Sequence, residues 1–84
     1  MAHKIVLTTR AIKQIKRLPV EFFRIIGQHI DQLAETPRPV GSIKLANDAG
    51  YRIRIGVYRI LYDIDDANQT VTIYRVGHRR DIYR

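Results

Sequence analysis

Apolar residues change their period along the chain, and the change divides it into helices and strands. From His3 to Thr8 they form a short β-branched run, which predicts a first strand. Beyond it Ala11, Ile12, Ile15 and Leu18 recur at helical spacing, with Lys13, Lys16 and Arg17 off that stripe. A hydroxyl can accept from the unpaired N–H groups of a first turn, so Thr8 or Thr9 caps this helix. Pro19 suits a first turn better than a helix interior and so opens a second helix. That helix puts Phe22, Phe23, Ile26, Ile30 and Leu33 on one face. It ends before Thr36-Pro37-Arg38-Pro39, because a residue preceding proline is pushed out of helical backbone. The outcome is a helical hairpin with a tight turn.

After Gly41 the period becomes two. Tyr51, Ile53 and Ile55 alternate with Arg52 and Arg54, the pattern of a half-exposed strand. Gly56-Val57 turns a hairpin into Tyr58–Ile64, whose residues are apolar on both sides, as in a central strand covered on both faces. Asp65-Asp66-Ala67-Asn68 is a polar turn, and Thr70–Val76 is a third β-branched strand closed by Gly77. A short basic tail, residues 78–84, follows. The order β-α-α-β-β-β implies an α+β fold in which an N-terminal helical hairpin packs on a mostly antiparallel sheet. With 84 residues and no internal repeat or linker, residues 1–84 are expected to form a single domain.

Composition narrows the function classes. Hydrophobic residues make up 45% of the chain, enough for a core and too many for disorder. Cysteine is absent, which excludes a disulfide scaffold, a Cys-ligated zinc site and a thiol nucleophile. The only apolar run near the N-terminus, Ile5-Val6-Leu7, is too short for a signal peptide, and no stretch has the length of a membrane span. A cytoplasmic protein without a membrane partner is expected. Fifteen Lys and Arg against eight Asp and Glu give a net charge of +7, which points to a polyanion or an acidic protein partner. The excess is spread evenly, +3 over residues 1–37 and +4 over residues 38–84. Arrangement, not total charge, therefore carries the information.

Four Tyr-Arg pairs mark the second half: Tyr51-Arg52, Tyr58-Arg59, Tyr74-Arg75 and Tyr83-Arg84. Neighbours on a strand point to opposite faces, so a buried tyrosine turns its arginine to water. Arg52 and Arg54 then share the exposed face, and Arg59 joins them across the hairpin. Like charges facing one another destabilise a sheet, and an anion would compensate them. Guanidinium is planar, permanently charged and matched to phosphate in a two-pronged geometry. The tail adds His78, Arg79, Arg80 and Tyr83; a neutral His78 could accept a proton, and Arg79 could stabilise a pentavalent phosphorane. No His, Asp or Glu cluster has metal-ligand spacing, and the scattered glycines form no phosphate-cradling loop. No cofactor is expected.

The residues Lys44-Leu45, the run from Tyr51 through Tyr62, and the run from Val71 through Val76-Gly77-His78-Arg79-Arg80 to Tyr83 together resemble the RelE/ParE superfamily of toxins from type II toxin–antitoxin systems. The resemblance covers essentially the whole chain and is stronger to the RelE branch. It implies a RelE-like fold and a ribosome-dependent mRNA endoribonuclease that cuts in the A site by metal-independent attack of a 2′-hydroxyl. By this resemblance Arg52, Arg54, Arg59, Arg79 and Tyr83 stand at the family's functional positions. With the reading of the basic tail and strands added, Arg54, Arg59, His78, Arg79 and Tyr83 are the expected catalytic group, and Lys44, Arg52, Arg54, Arg75 and Arg80 are expected to hold RNA phosphates. The products would be a 2′,3′-cyclic phosphate or 3′-phosphate and a 5′-hydroxyl.

One departure matters: the best-known member has lysines where this chain has Arg52 and Arg54. Arginine does not give up its proton, so Arg54 is a phosphate clamp and a poor general base. His78 or Tyr83 would supply the base, or catalysis would rest on electrostatics and in-line geometry. With the tail read to Arg84, the C-terminal helix that some relatives carry is not expected. The resemblance also implies a cognate antitoxin, bound in a toxin–antitoxin hetero-oligomer, with ribosome and mRNA as further partners. Two other readings stand beside it, a ParE-like inhibitor of DNA gyrase that cleaves no RNA and a non-catalytic RNA-binding module.

Overall fold

The computed structural model describes residues 2–82. Strand β1 (Lys4–Leu7) leads into helices α1 (Thr9–Lys16) and α2 (Val20–Glu35). Strands β2 (Ile43–Lys44), β3 (Tyr51–Ile55), β4 (Tyr58–Asp65) and β5 (Thr70–His78) follow, with a 3₁₀ turn at Ala46–Asp48 between β2 and β3. They form one sheet in the order β1-β5-β4-β3-β2, parallel between β1 and β5 and antiparallel elsewhere. The α+β architecture expected from the sequence is the one observed, with β4 at the centre. The pattern of the chain does not show β2, since two residues carry no period. Nor does Gly77 end β5: its backbone still pairs with Arg59, and His78 pairs with Tyr58.

Local chemistry sets the helix boundaries. Thr8 is extended (φ −68°, ψ 159°) and its Oγ accepts from the Ala11 N–H at 3.1 Å, satisfying one first-turn donor. The Pro19 carbonyl accepts from Phe22 and Phe23 N–H at 3.0 and 2.9 Å and starts α2. Ala11, Ile26, Ile30 and Leu33 of the helices meet Ile53, Ile55, Ile60, Tyr62, Val71, Ile73 and Val76 on one face of the sheet. Two residues placed in the core by spacing lie at its margin: Ile12 is 38% and Phe23 50% exposed. Phe22, about 100° earlier around the helix, takes the inward position and packs on Tyr58 at a ring-centroid distance of 4.7 Å.

The proline-rich exit from α2 is tied to the sheet from two sides. Tyr62 is fully buried, and its hydroxyl donates to the Pro37 carbonyl at 2.8 Å; burial pushes this phenol's pKa up. Arg38 donates from Nη2 to Asp66 at 2.9 Å and from Nε to the Tyr51 hydroxyl at 3.1 Å. His3 reaches the same carboxylate at 3.2 Å. Hydrogen bonds from Arg38, and secondarily from His3, hold the Asp66 carboxyl below its ordinary pKa. The loop ahead of β3 closes through Gly50, whose φ of +93° favours glycine and whose Cα faces the Tyr62 carbonyl too closely for a side chain.

One irregularity decides what faces where. Leu61 pairs with Arg75 and Tyr62 with Ile73, leaving Tyr74 as an extra residue on β5. The bulge reverses the alternation along that strand. Val71 and Ile73 face the helices before it, and Val76 faces them after it.

Candidate nucleic-acid interface

Cross-strand partners share a face of the sheet, so the register places the arginines opposite the helices. One row reads Arg54, Arg59, Gly77 across β3, β4 and β5; the next reads Arg52, Leu61, Arg75. Four guanidinium groups are thus gathered on three adjacent strands. Arg54 is exposed. Arg59, only 8% exposed, donates from Nη1 to the carbonyls of Gly56 and Tyr58 at 3.3 and 3.2 Å. Those hairpin carbonyls fix the charge in place. Arg52 and Arg75 are half-buried, and Arg75 donates from Nη2 to the Asp81 carbonyl at 3.2 Å.

Burial, followed by the nearby charge of Arg10, lowers the Arg75 pKa. Arg10, on α1, is a further cation near Arg75 that the strand pattern did not reveal. Its position follows from how α1 runs beside β5 where β1 ends. Thr8 Oγ donates to the Tyr74 carbonyl at 3.5 Å, and Gln14 Oε1 accepts from the Val76 N–H at 2.7 Å. The helix thereby satisfies strand groups that have no neighbouring strand.

The tail bends back over the same end. Arg79 N–H donates to the Val57 carbonyl at 2.7 Å, holding Arg79 against the β3–β4 turn. Asp81 and Ile82 donate to the His78 carbonyl at 2.8 and 3.1 Å. Ile82, 1% exposed, lies against Gly77, where an added Cβ would sit 3.4 Å from its Cδ1. Arg79 and Arg80 are exposed. Tyr83 lies outside the described residues.

Two of the residues singled out in the sequence stand apart from this face. Lys44 pairs with Tyr51, which packs on the core, so Lys44 sits at the sheet edge on the helix side, while Ile43 pairs with Arg52. His78 pairs with Tyr58, also a core-side residue, and its ring meets the Tyr58 ring edge-on at 5.8 Å. His78 therefore points away from Arg52, Arg54, Arg59 and Arg75. Its Nδ1 accepts from the Arg80 N–H at 3.1 Å, so the proton of the neutral ring resides on Nε2. Among the described residues no three His, Cys, Asp or Glu side chains gather as metal ligands.

The chain as a whole matches a known family. Residues 5–83 match the ParE toxins of type II toxin–antitoxin systems. The chain belongs to that family. It is 37% identical over 86 residues to toxin RelG of Mycobacterium tuberculosis, a match spanning 100% of this chain and 99% of the relative. Among solved structures, this toxin is similar to a chain of the Mycobacterium tuberculosis toxin–antitoxin complex RelBE2, with a TM-score of 0.83 and 29% identity. That likeness covers 94% of the toxin and 100% of the other chain. The archaeal RelE–RelB complex of Pyrococcus horikoshii shares the fold at a TM-score of 0.84 and 24% identity, over 96% and 99% of the two chains. No helix among the toxin's described residues is long and apolar enough to cross a membrane.

Proposed function

We propose that this toxin is an mRNA endoribonuclease that works on the ribosomal A site in the cytoplasm and is neutralised by a cognate antitoxin. The observation that carries the reading is the pair of rows containing Arg52, Arg54, Arg59 and Arg75, set opposite the core and next to Arg79. Several fixed guanidinium groups on one face are suited to a phosphodiester and to the charge that grows on it during attack. In this reading Arg59 and Arg79 stabilise the phosphorane. Arg52, Arg54 and Arg75 hold the flanking phosphates, and Arg80 adds to the binding field. The neighbouring 2′-hydroxyl attacks phosphorus and displaces the 5′-oxygen, leaving a 2′,3′-cyclic phosphate and a 5′-hydroxyl. All of these roles use charge and hydrogen bonding alone, and the reading routes no step through a metal ion.

His78 faces away from this array, so in this reading the proton-transfer role falls to Tyr83, the position the family resemblance implies. The similarity to chains solved as toxin–antitoxin complexes supports an antitoxin partner in a hetero-oligomer. An acidic segment that covers the arginine face would shield it electrostatically. Primer extension on messages from cells expressing the chain alone tests the reading. Cuts within A-site codons are expected; growth arrest with intact messages and damaged DNA would instead identify a gyrase inhibitor.

A further inference from the structure

On the helix side of the same strand end lies a cleft of about 290 Å³. Leu18, Tyr58 and Val76 give it apolar walls, and Arg17, His78 and Asp81 bring polar groups to it. We infer that this cleft is a nucleobase subsite of the toxin, taking one unstacked base of the RNA whose phosphates lie on the arginine face. The inference rests on the endoribonuclease reading and extends it to base selection.

Position supports it first. Gly77 stands in the arginine row and His78 in the cleft, so consecutive residues of β5 join the two faces. Arg79, held to the Val57 carbonyl, stands where a strand leaving the arginine face would turn the sheet end.

The chemistry of the walls distinguishes a base from a phosphate. A phosphate would be desolvated against Leu18, Tyr58 and Val76 and repelled by the Asp81 carboxylate. A base has a flat apolar face for those walls and an edge that both donates and accepts. The Arg80 N–H fixes the His78 tautomer, so the ring presents Nε2–H as a donor. The guanidinium of Arg17 offers further donors to the edge of a base. Of the lining residues, Tyr58 and His78 meet edge to face at 5.8 Å, and Tyr58 is backed by Phe22 at 4.7 Å, so this aromatic wall is in place before any ligand enters.

The test uses the whole chain and ribosomes programmed with messages that differ by one base at a time around the cut. Wild type should cleave them at rates that differ by base at one position. Arg17→Gln and His78→Ala should each flatten that preference by about tenfold, the discrimination typical of one good side-chain–base contact. Arg54→Gln should slow all messages alike. Arg17 is exposed, with no side-chain hydrogen bond or ion pair among the described residues, so Arg17→Gln decides the matter if His78→Ala disturbs the tail. A preference unchanged in Arg17→Gln, uniform slowing of every message by that variant, or no preference in wild type would each overturn the subsite while leaving endoribonuclease activity standing. A wild-type chain that cuts no message would overturn the parent reading instead.

Discussion

Replacing Arg54 with Gln should make the fold more stable and the toxin weaker. Arg54 directly faces Arg59 across the β3–β4 hairpin, and no hydrogen bond or ion pair of its side chain occurs among the described residues. The substitution therefore removes a repulsion and breaks no bond, while Gln retains part of the aliphatic stem. Cross-strand pairs contribute roughly 0.2–1 kcal/mol, and the burial of Arg59 places this pair toward the upper part of that range. For a domain of this size 1 kcal/mol corresponds to about 4–8 °C in Tm, so a gain of about 3–6 °C is expected at low salt. Thermal unfolding followed by circular dichroism measures it. In about 1 M salt, where the Debye length falls to about 3 Å, most of the gain should vanish. The same variant should bind single-stranded RNA with a shallower salt dependence, by about 0.7 in log–log slope for one lost phosphate contact. A lower Tm at low salt, or a gain that persists undiminished at high salt, would refute the idea that the arginines are held together against their own repulsion.

Three further outcomes probe the frame that presents this face. Tyr62→Phe should cost roughly 1–2 kcal/mol, read as a lower urea midpoint at unchanged m, because the Pro37 carbonyl loses its donor inside the fold. Gly50→Ala should destabilise by more than about 1 kcal/mol, since φ is +93° and the new methyl group would meet the Tyr62 carbonyl. Asp66 has a carboxyl pKa held below its ordinary value by Arg38 and His3, so its contribution is present above about pH 4 and is lost as pH falls through the lower, folded-state value. Asp66→Asn should accordingly flatten the acid limb of a stability–pH curve below about pH 4.

The helical hairpin and three long strands were legible because each repeats its period over several residues and is bounded by Thr8, by Pro19, or by Pro37 and Pro39. Arg52, Arg54 and Arg59 were legible as one face for the same reason, since β3 and the start of β4 alternate without interruption. On β5 the alternation fails. Val71 and Ile73 share parity with Arg75 and Gly77, yet the structure pairs Val76 and His78 with the core side. The extra residue Tyr74 makes that change, and a bulge is a property of two strands together that one strand's pattern does not contain. For this reason His78, adjacent in sequence to Arg79, stands across the sheet from the other arginines. Arg10 is illegible in the sequence for a different reason: its proximity to Arg75 depends on how α1 docks along β5, a tertiary fact.

Product chemistry tests the central claim most directly. Purified toxin would be added to ribosomes carrying a labelled message in the A site, and the ends of any fragments identified. Attack by the 2′-hydroxyl on a phosphate held by the arginine face predicts fragments with a 2′,3′-cyclic phosphate and a 5′-hydroxyl, with cleavage strongly reduced in Arg59→Gln and Arg79→Gln. An intact message, or fragments ending in a 5′-phosphate, would contradict it.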